Sequence, residues 1–269
     1  MKKALATAVL VLGCVSAQAG EMNWTGFHAG LNGGYGWVSG GVTALPGDPL
    51  TQSLSFGQPV VPPVSTSLNT TGGLGGGQLG YDWQFAGRGV VGIEDDISAA
   101  DLKSRASSPL SLFGTQPATF DVSRSIDWFG TIRGRLGVLA TPDLLIYATG
   151  GFAYGRVGES ASVSLPAGAS NSIGNYGYAF ACGPIYGSGA CFAGSSSRIA
   201  TGWAAGLGGE KRFTRNLSLK VEYLHVDLGT GHYPLVGSLY AGAPFTPSFL
   251  NASSNATIDI VRAGLNYNF

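Results

Sequence analysis

Charge is scarce in this chain. Of 269 residues, 15 are Lys or Arg and 15 are Asp or Glu, 11% in all, where soluble domains carry about 25%. The formal net charge is zero, which removes any electrostatic argument for nucleic acid or an acidic substrate. Histidine is rarer still, with three residues, His28, His225 and His232, at no spacing that suggests a catalytic triad. Cysteine is limited to Cys14, Cys182 and Cys191. Beyond the N-terminal segment no run of 18 apolar residues exists, so the rest of the chain holds no membrane-spanning helix. If it enters a membrane, it must do so as a closed barrel, because open sheet edges cannot face lipid.

Glycine (44 residues) and aromatics (11%) are abundant instead. Low charge with many aromatics suits a lipid-facing surface, and glycine suits strands that bend or approach closely.

The first residues read as a secretory signal. Lys2 and Lys3 are the charged region, Ala4 to Val15 are mostly apolar, and Ala17-Gln18-Ala19 is a small-x-small cleavage site. This divides the chain into a signal peptide, 1–19, and a mature domain, 20–269. The alternative is a lipoprotein cut before Cys14, with Val11-Leu12-Gly13-Cys14 as lipobox. Export exposes Cys182 and Cys191 to an oxidising compartment, so a disulfide between them is expected, with two free loop thiols as the alternative.

Alternation dominates the mature chain. Val261, Ala263, Leu265, Tyr267 and Phe269 interleave with Arg262, Gly264, Asn266 and Asn268. Successive side chains leave a strand on opposite faces, so this is a two-sided strand. The pattern recurs around Phe27–Trp37, Leu79–Phe85, Val91–Ser98, Ile126–Val138, Leu144–Val157, Trp203–Glu210 and Leu217–Tyr223. Ala86-Gly87-Arg88, Thr141-Pro142-Asp143 and Thr214-Arg215-Asn216 are tight turns between them. The other connections are long and rich in Gly, Ser, Thr or Pro. Aromatics near strand ends (Trp24, Trp37, Trp83, Trp128, Tyr267, Phe269) suit interfacial girdles. The predicted fold is all-β: an eight-stranded antiparallel transmembrane up-and-down β-barrel with four long external loops and short periplasmic turns.

Strand phase puts most charges on one face. Asp82, Glu94, Asp96, Asp127, Arg133, Arg135, Glu210, Lys220, Glu222 and Arg262 are assigned to the interior, because basic groups facing lipid cost roughly 2–4 kcal/mol at midplane. Eight strands leave an interior just wide enough for side chains to fill. A plug of ion pairs is expected rather than an open channel. Asp95 interrupts the apolar face of its strand without explanation.

Gly75-Gly76-Gly77-Gln78-Leu79-Gly80 fits a dinucleotide fingerprint, but Tyr81–Phe85 continues as a strand where that motif needs a helix. With no nucleophile–base spacing, the chain is not expected to be an enzyme. No metal site is expected. Haem is the one cofactor considered; His232 and Tyr233, together in the fourth loop, are its candidate ligands.

The stretch from Trp24 to Trp37, the segment Tyr147-Ala148-Thr149-Gly150-Gly151-Phe152-Ala153-Tyr154-Gly155, the run from Leu217 to Gly229 and the ending Val261–Phe269 together resemble the alphaproteobacterial porin-family outer-membrane proteins. These are also called outer-membrane immunogenic or haemin-binding proteins, and their barrel is like that of outer-membrane protein A. The resemblance implies the outer membrane of a Gram-negative bacterium, with external loops at the cell surface. It also implies contact with outer-membrane lipids and with the barrel-assembly machinery, which would read Leu265, Tyr267 and Phe269 as a terminal signal. Asp95 stands where the family favours glycine, and His225 where an aromatic is common. The expected role is structural, with at most small-solute passage. The alternative is surface binding of haem or a host surface through external loops. Oligomeric state is open.

Overall fold

A computed structural model describes residues 23–52, 54–55, 58–112, 116–166, 178–180, 190–241 and 245–269. The predicted signal peptide, Cys14 and Cys182 lie outside them. Eight long strands dominate: β1 (Gly26–Pro46), β2 (Thr70–Phe85), β3 (Gly89–Leu112), β4 (Gln116–Thr141), β5 (Leu144–Ser164), β6 (Ala190–Arg212), β7 (Leu217–Ala241) and β8 (Phe245–Asn268). Each pairs antiparallel with the next. β8 then pairs with β1, placing Leu265 opposite Leu31 and Val261 opposite Tyr35. The ring is closed, and no edge strand remains in it.

The turns joining β2 to β3, β4 to β5 and β6 to β7 are the three tight ones read from sequence. Ala86 and Gly87 adopt left-handed backbone with φ of 47° and 72°, which reverses the chain in three residues. In the second turn Thr141 Oγ1 donates to Asp143 Oδ1 at 2.6 Å. That bond holds the Asp143 carboxyl below its usual range.

The outer wall carries an apolar belt. Phe27, Leu31, Leu79, Ile93, Leu136, Leu207 and Leu265 are each more than half exposed, as a lipid-facing band requires. Trp83 stands near the turn end, and Trp37 and Trp203 stand further along. Trp24 departs from the girdle expected of it. It is buried inside the turn end, its Nε1 donating to Pro142 O at 3.1 Å.

The long connections differ from expectation. β3 and β4 run on to Leu112 and from Gln116, and β7 and β8 run on to Ala241 and from Phe245. Segments read as the second and fourth loops are therefore strand over most of their length. β1 likewise consumes the start of the first loop, leaving a short strand at Val64–Ser67 and a single helical turn at Pro49–Gln52. Polar composition misled the reading for a physical reason. Beyond the bilayer the outer face of a strand meets water, so Ser, Thr and Lys replace the apolar residues while the inner face stays buried. A spanning strand needs about 9–11 residues, whereas β4 has 26. At roughly 3.3 Å per residue, the wall rises far past the membrane on the side opposite the tight turns.

Two irregularities matter below. Between Ile126 and Trp128 the β4–β5 register skips Asp127, a β-bulge. Between β6 and β7 the ladder is interrupted from Ala193↔Val236 to Trp203↔Asp227.

Candidate functional site

The interior is layered along the barrel axis. At the turn end Trp24 packs with Val90, Leu139, Leu145 and Tyr147. The Arg212 guanidinium lies 4.2 Å from the Trp24 ring centroid and donates to Asn23 O and Asn268 Oδ1 at 2.7 and 3.0 Å. This is a lid of one aromatic and one cation across the barrel mouth.

Above it sits the charge ring. Alternation brings one inward residue from each pair along a strand, so Glu94 on β3 lies directly opposite Arg133 on β4, with Asp96 opposite Thr131 and Arg135 opposite Gly92. Arg133 Nη2 binds Glu94 at 2.8 Å and Asp96 at 2.9 Å, and its Nη1 binds Glu222 at 2.9 Å. Arg262 Nη2 reaches Asp96 at 3.0 Å and Glu222 at 2.7 Å. Arg135 Nη2 bridges Asp82 at 3.0 Å and Glu210 at 2.9 Å. Lys220 Nζ binds Glu94 at 2.8 Å. His28 lies between Asp82 and Glu94, at 3.5 and 3.4 Å. All these side chains are buried.

Glycine makes the room. A Cβ on Gly34 would sit 2.6 Å from Arg262 Cβ, and one on Gly151 would sit 2.7 Å from Arg133 Cα. Arg133 and Arg262 fit because each has a glycine as its cross-strand neighbour on one side and a glutamate on the other.

Asp127 is the exception among the predicted interior charges. It is exposed. The bulge at Asp127 reverses the phase of β4, so the residues before it (Val122, Arg124, Ile126) point inward on even numbers and those after it (Phe129, Thr131, Arg133) on odd ones. Ile126, expected to face outward, is accordingly buried at 1% exposure. Asp95 is exposed between Ile93 and Ile97, opposite Leu79 and Ile132, and thus lies within the apolar belt.

Next along the axis is an apolar layer built from Val38, Leu102, Ile126, Phe129, Leu224 and Ile258, among others. A second ionic layer follows. Arg124 Nε binds Glu159 at 3.1 Å, and Ser254 hydrogen-bonds both side chains. A second apolar layer seals the far end, where Val60, Val61 and Leu68 from the first connection pack on Phe120, Val163, Phe192 and Leu235. The sequence reading missed Arg124, Glu159, Arg212 and both apolar layers. Continuing the alternation outward from Ile126, once its inward phase is known, would have found Arg124.

His232 and Tyr233 do not form a ligand pair. They lie on β7, not in a loop, and adjacent strand residues face opposite ways: His232 is exposed and Tyr233 is buried. Burial pushes the Tyr233 phenol up to about 12. Cys191 is disulfide-bonded. Leu265, Tyr267 and Phe269 face outward at 54%, 46% and 74% exposure, at the turn end of the belt. Among the described residues no group of three His, Cys, Asp or Glu could hold a metal ion.

Known proteins place this architecture. Residues 5–269 match the outer membrane protein beta-barrel domain. A 31 kDa outer-membrane immunogenic protein of Brucella melitensis biotype 1 is 32% identical over 256 residues, covering 94% of this chain and 87% of that protein. A 22 kDa outer membrane protein of Rhizobium leguminosarum bv. viciae is 27% identical over 162 residues, covering 60% and 56%. Among solved structures, the outer membrane protein OprG of Pseudomonas aeruginosa aligns over 93% of this chain and 99% of its own at 12% identity, with a TM-score of 0.42.

Proposed function

The chain belongs to the outer membrane protein beta-barrel domain family, and from that premise we propose that it is a structural, non-conducting and non-enzymatic barrel of the Gram-negative outer membrane. The observation that carries this reading is the sequence of buried layers across the lumen. A solute would have to part the Trp24–Arg212 lid, the charge ring and two apolar layers. Depriving one member of a buried ion pair of its partner costs about 3–5 kcal/mol, and the ring links ten groups through shared partners.

The charged groups support a packing role over a chemical one. Each of the five ring carboxylates has a cation beside it, and Thr131 and Ser218 donate their hydroxyls to Asp96 and Glu210. Both hydroxyls are buried and donate to carboxylates already held by arginine, so neither faces a free base as a nucleophile would.

A second reading concerns the projecting wall. Relatives in this family carry the word immunogenic in their names, and here the strands run well past the bilayer with a polar outer face that includes Ser107, Asp121, Ser123 and Ser160. Such a wall would present a surface for antibody or host contact. Haem binding through His232 with Tyr233 is not part of this reading.

Liposome swelling tests the main proposal. Vesicles containing the folded barrel should shrink and stay shrunken in glycine or arabinose, as protein-free vesicles do. Re-swelling at a rate that scales with protein content would refute a sealed lumen.

A further inference from the structure

We propose that the upper ionic layer binds a small inorganic anion of chloride size, held between Arg124 and Arg198. The Arg124–Glu159 pair alone does not complete this layer: its side chains leave donors without acceptors. Arg124, Glu159, Ser104 and Tyr233 are all more than nine-tenths buried. Among the described residues, Arg124 Nη1, Arg198 Nε, Ser104 Oγ and Tyr233 Oη have no partner, and the free carboxylate oxygen in this layer is Glu159 Oε2. Two guanidinium N–H groups, which can only donate, and two hydroxyls therefore share one free carboxylate oxygen. Among the described residues two guanidiniums face one carboxylate there, an excess of one positive charge. A buried uncompensated charge is costly. Water would balance donors and acceptors equally; an anion supplies acceptors and the missing negative charge.

The register brings these groups together. Arg124 lies opposite Ser104 on one side and Glu159 on the other. Ser254 touches Arg124 and Glu159 across the lumen, and it is paired with Gly231. The Arg198 guanidinium lies over that glycine, its Nε and Nη2 2.5 and 2.6 Å from where a Cβ would stand. Arg124 Nη1 lies 3.0 Å from the Cβ position of Gly40. Tyr233 is two residues above Gly231 on the same inward face, and burial keeps its phenol protonated and able to donate.

The wall is irregular beside Arg198. Arg198 is part-buried and sits where the β6–β7 ladder is interrupted. Across from it β7 holds Gly229 in left-handed conformation, with φ of 66°, and Pro234, which has no N–H to donate. This seam is the route the proposal assigns to the ion, since it bypasses both apolar layers.

Two measurements test the assignment on the full-length protein folded in detergent. Crystals grown in sodium bromide should show an anomalous peak in contact with the guanidiniums of Arg124 and Arg198. Density there without anomalous signal, or bromide only on the outer wall, overturns the proposal. Thermal unfolding should rise by roughly 2–4 °C in sodium chloride over sodium gluconate at equal ionic strength. Arg198→Gln should abolish that difference, while Arg105→Gln, which alters an exposed arginine of the outer wall, should keep it. If Arg198→Gln does not fold, Tyr233→Phe serves in its place and should reduce the difference. An unchanged chloride response in whichever variant folds overturns the proposal.

Discussion

Arg262, from the last strand of the chain, and Asp96, from the third, meet in the middle of the barrel with Nη2 and Oδ2 3.0 Å apart and no solvent exposure on either side chain. Their sequence separation is 166 residues, so the pair forms only when the ring has closed. It ties closure of the sheet to neutralisation of its interior.

Removing one member of that pair strands the other. Arg262→Ala should lower stability by about 3–5 kcal/mol, read from urea unfolding in lipid vesicles. Arg262→Met combined with Asp96→Leu should recover part of the loss, because both charges then leave together. Equal destabilisation by the single and double variants would mean that packing, not charge, dominates the site.

Asp95 sits in the apolar belt, where lipid solvates a carboxylate poorly. Asp95→Leu should raise stability by about 1–2 kcal/mol in vesicles, less than the cost assigned to a basic residue at midplane. A loss of stability on this substitution would show that the carboxylate makes a contact in the membrane that the isolated chain does not contain.

Trp24 closes the turn end under the Arg212 guanidinium. Trp24→Ala should cost about 3–5 kcal/mol through the cavity it leaves. It should also admit small solutes to the charge ring without opening the lumen, because the apolar layers beyond remain. Hydrogen–deuterium exchange should therefore rise near Val90 and Leu145 and stay unchanged near Ile258.

We expect Cys182 to be the partner of Cys191. Proteolysis without reductant should give one peptide pair joined through these residues. Reduction should lower stability by roughly 2–3 kcal/mol, the entropy of a loop of this length. Free Cys182 in the folded protein would contradict the pairing.

Much of the barrel was legible because lipid on one side and packed side chains on the other enforce strict alternation. The three tight turns, the pairing of β8 with β1 and the inward placement of Arg133, Arg135, Glu222 and Arg262 all follow from it. Legibility failed where that physics changes. At Asp127 one extra residue reverses the phase, and nothing in the local composition marks a bulge. Above the bilayer the outer face meets water, so strands such as Ala106–Leu112 look like loops. Trp24 resembled a girdle residue because sequence gives aromatic character but not which side of the wall it faces. Arg124 and Glu159 went unread because both lay in segments taken for loop or their edges.

Single-channel recording in a planar bilayer tests the sealed interior most directly. The folded protein should insert without conductance steps in molar potassium chloride at moderate voltage. Regular steps in the nanosiemens range from the unmodified protein would contradict the layered plug.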